Sequence, residues 1–289
     1  MPTTLDQHPL FPILQSFKSA LSTFPLKTNA PVHTPTPLEK PTLFIYGPGP
    51  RNSALSFDAE CVVWQAWLTS CGVEYATEHI NEPLSGPKGK LPFLVVPGGK
   101  TLNTDQMQHW LSKNYTVHTL ADPEKQADSQ AIISLVETKL RDALLFSIFC
   151  EATNTQLMRQ TYFDHQSFPL PHFLAHQARE GAFDEILLRN DTVVRSEIYR
   201  GAAQALDALS VTLGEDDYFF GSAQPTFVDA TVFGYLHVLL SRPVGTSTTQ
   251  PTLTEEQLAQ GRQLRELTLE RKTLVDFAKR CVRNLSNNG

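Results

Sequence analysis

The fold is decided by YFFGSAQPTFVDATVFGYLHVLL, residues 218–240. Thr226 follows a proline and stands three residues before Asp229. We therefore expect a variant capping box, in which the Thr226 hydroxyl accepts a first-turn amide and the Asp229 carboxylate accepts the amide of Thr226. The residues that follow leave almost no polar face, which is typical of a helix buried on all sides. The stretch predicts a central helix with Thr226 and Asp229 as its structural start.

The composition excludes several classes of protein. A chain of 289 residues with 41% hydrophobic residues and a formal net charge of -6 is long enough for one large globular domain or two modest ones. The absence of a run of basic and aromatic residues argues against nucleic-acid binding. Because no segment reaches about 18 uninterrupted apolar residues, we expect any membrane association to be peripheral. The beginning of the chain does not resemble a signal peptide.

The four cysteines, Cys61, Cys71, Cys150 and Cys281, are far apart and form no CxxC motif. This scatter favours reduced thiols in a protein that faces the cytosol.

A pair of histidines, His172 and His176, could share a helix face. No HExxH motif accompanies them, so the pair by itself does not predict a metal site.

Residues 1–41 form the first predicted segment. Residues 12–24 show helical apolar spacing, and residues 28–41 contain four prolines typical of an extended linker. A helix of about three turns is marginal alone in water, so we expect it to dock. Its own domain, a partner and a membrane surface all remain open. The candidate partner-binding residues are Ile13, Leu14, Phe17 and Leu21.

Residues 42–120 predict a thioredoxin-like domain. Strand patterns at 43–46, 73–80, 93–96 and 101–102 surround a helix at 58–70 and precede a helix that Thr104 begins. The order is β-α-β, a connection, and then β-β-α. Leu91-Pro92 stands directly before the third strand, where we expect a cis peptide bond and a structural role for Pro92.

Residues 121–289 predict a helical domain. Long apolar periodicities indicate a helix at 127–153, another at 192–213, the central helix, and one closing helix that runs from Leu267 to Leu285. A low-complexity loop at 243–251 separates the last two. The predicted fold class is therefore α/β followed by all-α, and the capped central helix resembles the one at the centre of the helical C-terminal domain in glutathione-transferase-like folds.

An enzyme of that type requires a hydroxyl or thiol near the end of its first strand. Tyr46, Ser53 and Ser56 are the candidates, although a serine in such a loop is more often a turn former. Residues 81–90 are too short and too rich in proline and glycine for the helix that helps hold glutathione. Asn103-Thr104 stands where these enzymes carry an acidic or amide residue followed by serine for the γ-glutamyl group. This pair can still form hydrogen bonds, so the departure is partial and the short connection is the stronger objection. We therefore expect no catalytic residue and no cofactor.

Three pieces of the chain together resemble the metaxin family, and most closely its metaxin-2-like type. The first is the short connection Ser85-Gly86-Pro87-Lys88-Gly89-Lys90-Leu91-Pro92-Phe93. The second combines Glu137 and Lys139-Leu140 with Cys150-Glu151-Ala152-Thr153. The third runs from Tyr218-Phe219-Phe220 through Gln224-Pro225-Thr226 and Asp229-Ala230 to Val232-Phe233-Gly234. The insert at 246–251 and the N-terminal helix have no counterpart in this pattern.

The resemblance implies a non-enzymatic subunit of the mitochondrial sorting and assembly machinery. Such a subunit lies on the cytosolic face of the outer mitochondrial membrane, peripheral to the bilayer. It contacts the barrel-forming core subunit, a second metaxin-like subunit and β-barrel precursor proteins. The connection suggests Ser85, Lys88 and Lys90 as partner-binding residues, because the lost helix would uncover one end of the small sheet. A plain short connection is an equally good interpretation.

Two other functions remain open. A glutathione-dependent transferase or reductase would bind glutathione and lose turnover when Tyr46, Ser53 or Ser56 is changed. A transferase-like interaction module of another machinery, such as a translation complex, would instead associate with translation factors.

Overall fold

The computed structural model describes residues 38–241 and 254–288. The predicted helix at 12–24, with Ile13, Leu14, Phe17 and Leu21, lies outside the described residues, as do the loop at 243–251 and its insert. From Leu38 onward the chain forms one compact unit. The predicted division between residues 120 and 121 lies inside that unit and stays a prediction.

A four-stranded mixed sheet forms the N-terminal part of the described chain. Its strands are β1 (Thr42–Ile45), β2 (Ala76–His79), β3 (Phe93–Val95) and β4 (Thr101–Leu102), in the order β2-β1-β3-β4. Strand β1 is parallel to β2 and antiparallel to β3, which is antiparallel to β4. The peptide bond Leu91-Pro92 before β3 is cis, as predicted. This is the thioredoxin-like arrangement that the sequence predicts.

Helix α1 (Ala59–Ser70) connects β1 to β2, and helix α2 (Thr104–Asn114) follows β4. Asp58 begins α1, because its carboxylate accepts the backbone N–H of Cys61 at 3.0 Å. Nearly all of α1 is buried, including Trp67, which is 0% exposed. A helix buried on this many sides must pack against the sheet and a second layer.

Helices supply that second layer. They are α3 (Pro123–Leu135), α4 (Arg141–Leu145), α5 (Thr155–Phe163), α6 (Leu170–Leu187), α7 (Arg195–Leu213) and α8 (Phe227–Ser241). Two π-helical turns, Val136–Leu140 and Phe146–Cys150, join α3 and α4 into one long helical run that extends to Cys150. The helix predicted at 127–153 thus exists, but it begins and ends a few residues earlier.

The end of the chain differs from the prediction of a single closing helix. Two helices occupy it, α9 (Glu255–Leu269) and α10 (Lys272–Asn288). The backbone N–H of Arg271 bonds to the carbonyl of Thr268 at 3.1 Å, and the new helix starts directly afterwards. No proline or glycine marks this break, so the apolar spacing alone could not reveal it.

Helix α8 is the centre of the described structure. Its residues from Val228 to Leu236 are all buried. The contact between α1 and α8 is the most extensive one between any two described elements. Trp64 and Trp67 of α1 lie against Phe227, with ring centroids 5.9 and 5.6 Å apart. The predicted central helix is confirmed, and it joins the sheet layer to the helical layer.

None of the described helices combines the length and the hydropathy that a bilayer crossing requires.

Candidate functional site

A cleft of about 510 Å³ lies where β1 ends. The loop Gly47-Pro48-Gly49-Pro50 forms one wall, and residues of α5 and the turn after it form the other. Phe57, Asn81 and Val238 also line it. In a thioredoxin-like fold this is the position in which a catalytic hydroxyl or thiol would stand, so the three predicted candidates can be judged here.

Tyr46 follows β1 directly and is half-buried among aromatic rings. Its ring centroid lies 5.6 Å from Phe57 and 5.6 Å from Tyr162. Burial raises the pKa of the Tyr46 hydroxyl strongly, and the nearby Asp58 carboxylate raises it further. A phenol with a raised pKa is a weaker proton donor, which is the opposite of what stabilising a thiolate requires.

The two serines are structural. Ser56 is fully buried, its Oγ donates to the carbonyl of Tyr46 at 2.6 Å, and it accepts the N–H of Asp58 at 3.0 Å. Ser53 Oγ accepts the N–H of Leu55 at 3.2 Å, as a turn former does. Both hydroxyls thus hold the loop that leads into α1.

Asn81 closes this loop, a role that was not predicted from the sequence. Its Oδ1 accepts the N–H of Gly47 at 2.9 Å, and its Nδ2 donates to the Gly47 carbonyl at 2.6 Å. The backbone of Asn81 has φ of +47°, a conformation that asparagine tolerates better than most residues. The sequence signal for this role was the position of Asn81 in a turn-rich segment. The bond itself could not be predicted, because its partner Gly47 lies 34 residues away.

The connection from β2 to β3 contains two short 3₁₀ turns, Pro83–Ser85 and Pro87–Gly89, and no α-helix. Gly86 packs onto the ring of Phe93, since a Cβ on Gly86 would come within 2.8 Å of it. The connection therefore covers the sheet at Phe93, which is 6% exposed. The expectation that the connection uncovers one end of the sheet stays a prediction, because Phe93 is also stacked on Phe44 and the edge strand β2 is exposed at three of its four residues.

The predicted partner-binding residues of the connection all point outward. Ser85, Lys88 and Lys90 are exposed, and Leu84 beside them is 81% exposed. Lys88 Nζ lies 3.2 Å from Asp105, an exposed ion pair that contributes little to stability. All three predicted residues are thus exposed, which a role in partner binding requires.

Asn103 differs from its predicted role. Helix α2 begins after Asn103 rather than at a Thr104 cap, and Asn103 Oδ1 accepts the N–H of Gln106 at 3.0 Å. Gln106 Oε1 in turn accepts the N–H of Asn103 at 3.1 Å, which completes a capping box. The residue that would face a γ-glutamyl group therefore uses its carbonyl oxygen to cap the helix.

The start of α8 is built around Asp229, which is 1% exposed. Its carboxylate accepts the Thr226 N–H at 2.7 Å, as predicted, and the N–H of Phe219 at 2.8 Å. The Thr226 hydroxyl does not accept a first-turn amide as predicted; it donates to Asp229 at 2.8 Å. Burial raises the pKa of Asp229, and these donors oppose that shift. The turn at Phe219 and the helix start are thus joined.

A network of charged side chains ties the sheet layer to the helical layer. Arg141 contacts Glu60 of α1 through its Nη1, and its Nε lies 2.6 Å from Glu185 of α6. Burial raises the pKa of Glu185, but the hydrogen bond and charge of Arg141 outweigh burial and lower it overall. Arg189 continues the network to the buried Asp142, 2.5 Å away. None of these residues was predicted, because they lie far apart in sequence.

A second polar cluster explains part of the motif at 150–153. Glu151 is buried, and Arg195 donates to its Oε1 at 2.7 Å while Tyr199 donates at 3.1 Å. Arg195 also reaches the carbonyl of Gln260 at 3.3 Å. Glu151 thus holds α7 and α9 against the end of the long helical run.

The two histidines lie on α6 without a third ligand. His172 Nε2 is 3.0 Å from Arg159, and His176 Nδ1 is 3.5 Å from Glu180. In the part of the chain that the structure describes, no group of three metal-ligating side chains exists. The arrangement offers hydrogen bonds and ion pairs but no chelating set.

Two family models match the chain. Residues 61–179 match Tom37, described as "Outer mitochondrial membrane transport complex protein", and residues 202–281 match the glutathione S-transferase C-terminal domain. Together they cover α1 and most of the helical part.

Several metaxins are similar to the chain. Metaxin-3 of Xenopus laevis is 30% identical over 63% of this chain and 61% of its own length. Human metaxin-1 is 28% identical over 68% of this chain and 44% of its own length. Mouse metaxin-2 is 30% identical over 65% of this chain and 72% of its own length. The chain thus spans only part of the first two relatives, and the metaxin-2-like type stays a prediction.

Solved structures show the same fold at low sequence identity. Glutathione transferase GSTFuA3 from Phanerochaete chrysosporium has a TM-score of 0.52 at 14% identity, covering 85% of this chain and 97% of its own. CsGST83044 of Ceriporiopsis subvermispora has a TM-score of 0.51 at 16% identity, covering 86% and 99%. The predicted thioredoxin-like and glutathione-transferase-like fold is confirmed, and the chain belongs to the metaxin family.

Proposed function

We propose that this chain is a non-enzymatic subunit of an outer mitochondrial membrane transport complex, the sorting and assembly machinery. The observation that carries the proposal is the connection between β2 and β3. Two 3₁₀ turns stand where a glutathione-binding helix would stand, in a chain of the metaxin family. The family model is itself described as a protein of such a complex.

The geometry at the end of β1 supports a non-enzymatic role. The Tyr46 hydroxyl has a raised pKa, and the Ser53 and Ser56 hydroxyls hold the loop. Asn103 caps α2 through the same side chain that would bind the γ-glutamyl group. An acyl or thiol transfer would need an activated nucleophile or a free hydroxyl at this cleft.

The role would be the recognition and membrane insertion of β-barrel precursors from the cytosolic face, with the subunit peripheral to the bilayer. A precursor's terminal strand carries unpaired backbone groups and an apolar face that must be shielded before pairing. The body built around α8 offers a rigid platform for that task. Its partners would be the barrel-forming core subunit, a second metaxin-like subunit and the precursor.

Two surfaces are proposed for these partners. The first is the exposed connection, with Ser85, Lys88 and Lys90 beside the exposed Leu84. Cationic and apolar side chains together suit a partner with an acidic rim and an apolar centre. The second is the N-terminal segment that carries Ile13, Leu14, Phe17 and Leu21, which follows from the sequence pattern alone.

The test is the insertion of a radiolabelled β-barrel precursor into isolated mitochondria that lack the chain. We expect slower formation of the alkali-resistant barrel and recovery with the full chain. A chain without residues 1–41 should restore insertion less well, and Lys88→Glu with Lys90→Glu should do likewise. Lys100→Glu with Lys113→Glu, two matched charge reversals at exposed residues outside the connection, should restore it fully. Normal insertion without the chain would contradict the role.

The cleft of about 510 Å³ supports one competing function, a glutathione-dependent transferase. Calorimetry with glutathione decides this alternative, because the proposal predicts no saturable binding. Binding with lost conjugation in Tyr46→Phe would favour the enzyme. The two assays are independent, so neither result depends on the other.

A further inference from the structure

The outward face of α6 has an exceptional concentration of exposed apolar side chains. Its inward face buries Ala175, Ala182 and Ile186 in the core. Between residues 168 and 188 the exposed large apolar side chains are Phe168, Leu170, Phe173, Phe183, Leu187 and Leu188. A contiguous exposed patch of this kind marks an interaction surface rather than ordinary surface exposure.

Five exposed residues on this face form a seam. They are separated by three, four, three and four positions, and they are Phe173, His176, Glu180, Phe183 and Leu187. This is the spacing of the a and d positions along which one helix packs against another. We call these five residues the α6 seam.

The polar residues of the α6 seam favour a protein partner over a lipid surface. Glu180 lies in the middle of the seam, with Phe173 and Phe183 on either side of it along the helix, and His176 of the same chain lies 3.5 Å from it. Burying a carboxylate and its polar neighbour in the acyl region is costly. A protein partner can instead supply hydrogen-bonding groups opposite these two residues and apolar groups on both sides.

The α6 seam itself meets those requirements when two copies run antiparallel. In an antiparallel pair, a positions face d positions, so Phe173 of one copy faces Phe183 of the other. The same register places His176 opposite Glu180. Beyond the helix ends it brings Phe168 of one copy to Leu188 of the other. One alignment therefore pairs aromatic with aromatic and histidine with carboxylate.

The polar residues in the middle of the seam set the centre of this register. Within one chain His176 already lies 3.5 Å from Glu180. In the pair, two histidines and two glutamates would alternate around the two-fold axis. Polar layers of this kind specify register and orientation in helix pairs.

We propose that the α6 seam is the docking surface for a second copy of this chain, packed antiparallel about the two-fold axis between His176 and Glu180. Helix α6 has 18 residues and is about 27 Å long, so the seam buries a small area. Interfaces at the small end of the range are weak and reversible. We therefore expect a dimer with a dissociation constant in the micromolar range.

Sedimentation velocity of the purified full chain across the micromolar range tests the proposal. We expect concentration-dependent dimers that Phe173→Glu abolishes. Val211→Glu is the matched control, since Val211 is 82% exposed on α7, away from the α6 seam. A wild-type chain that stays monomeric throughout would overturn the proposal. Equal loss of dimer in Val211→Glu would overturn the assignment of the face.

A charge exchange between copies tests the register. His176→Glu alone places two carboxylates opposite each other, and Glu180→Lys alone removes the attraction, so each variant should dimerise less than wild type. Their equimolar mixture should associate more strongly than either variant, because the introduced glutamate then faces the introduced lysine. A mixture no stronger than its components would overturn the antiparallel register.

A vesicle-binding experiment tests whether the α6 seam contacts lipid instead of a second copy of the chain. Vesicles of phosphatidylcholine and phosphatidylserine should bind wild type and Phe173→Glu equally. Stronger binding by wild type, with no dimer in solution, would make the face a lipid contact and would overturn the proposal. Circular dichroism of each variant verifies that the chain is folded.

Discussion

Replacing Gly234 with alanine should destabilise the protein, although the same change usually stabilises a helix. Gly234 lies in α8 where α1 crosses it. A Cβ there would fall 2.8 Å from the carbonyl oxygen of Ala59 and 2.9 Å from the backbone nitrogen of Val63. Both are backbone atoms of α1, so relief requires the two helices to move apart.

The expected magnitude is a balance of two terms. Alanine gains about 1 kcal/mol over glycine from helix propensity. Overpacking a tight core costs about 1–3 kcal/mol and occasionally more. Because the contact is with backbone on the most extensive described interface, we expect the upper part of that range and a net loss of about 1–2 kcal/mol. For a chain of this size that corresponds to a fall of about 2–8 °C in Tm.

Gly181 is the matched control. It lies in α6, is exposed, and a Cβ there would meet nothing within 4 Å. Gly181→Ala should therefore stabilise the protein by up to about 1 kcal/mol. Chemical denaturation of both variants measures the difference. Stabilisation of similar size in Gly234→Ala would refute the close contact of α1 and α8.

Three further changes test the other interactions described above. Thr226→Ala removes the hydroxyl that donates to Asp229 and should cost about 1–2 kcal/mol of unfolding free energy in denaturant titrations, whereas no change would contradict the helix start. Burial and the nearby Glu60 raise the pKa of Asp58 to about 6. Because the folded state then binds the proton more tightly than the unfolded state, Asp58 lowers the stability of the protein as the pH rises from about 4 to about 6. Asp58→Asn keeps a helix cap but should remove that slope, and an unchanged pH profile of Tm would argue against the shift. Arg141→Met removes the cation beside Glu60 and leaves Glu185 with its longer contact to Arg189 at 3.4 Å. Since these groups are partly exposed, we expect a loss of about 1–3 kcal/mol, with a loss near zero contradicting the network.

Local signals predicted the elements well. Thr226 and Asp229 lie three residues apart, and Leu91-Pro92 precedes a strand, so their geometry depends on neighbours in sequence. The helix start at Asn103 was displaced by one residue, because both Asn103 and Thr104 are residues that cap helices. The break after Leu269 lacked any proline or glycine signal.

The site was predicted less completely than the fold. The absence of a helix in the connection followed from its length and prolines, and the structural roles of Ser53 and Ser56 agree with the tendency of serine to form turns in such loops. The bond of Asn81 to Gly47 and the pairing of Arg189 with Asp142 join residues more than 30 positions apart. Such pairs are set by packing, which no local pattern contains.

The central claim is that the chain works as a subunit of a membrane assembly complex and not as an enzyme. The most direct test is gentle purification of the tagged chain from mitochondria, with identification of its partners and passage of the same sample over immobilised glutathione. The proposal predicts a membrane β-barrel subunit and a second metaxin-like subunit in the eluate, with no retention on glutathione. Retention on glutathione without those partners would contradict it.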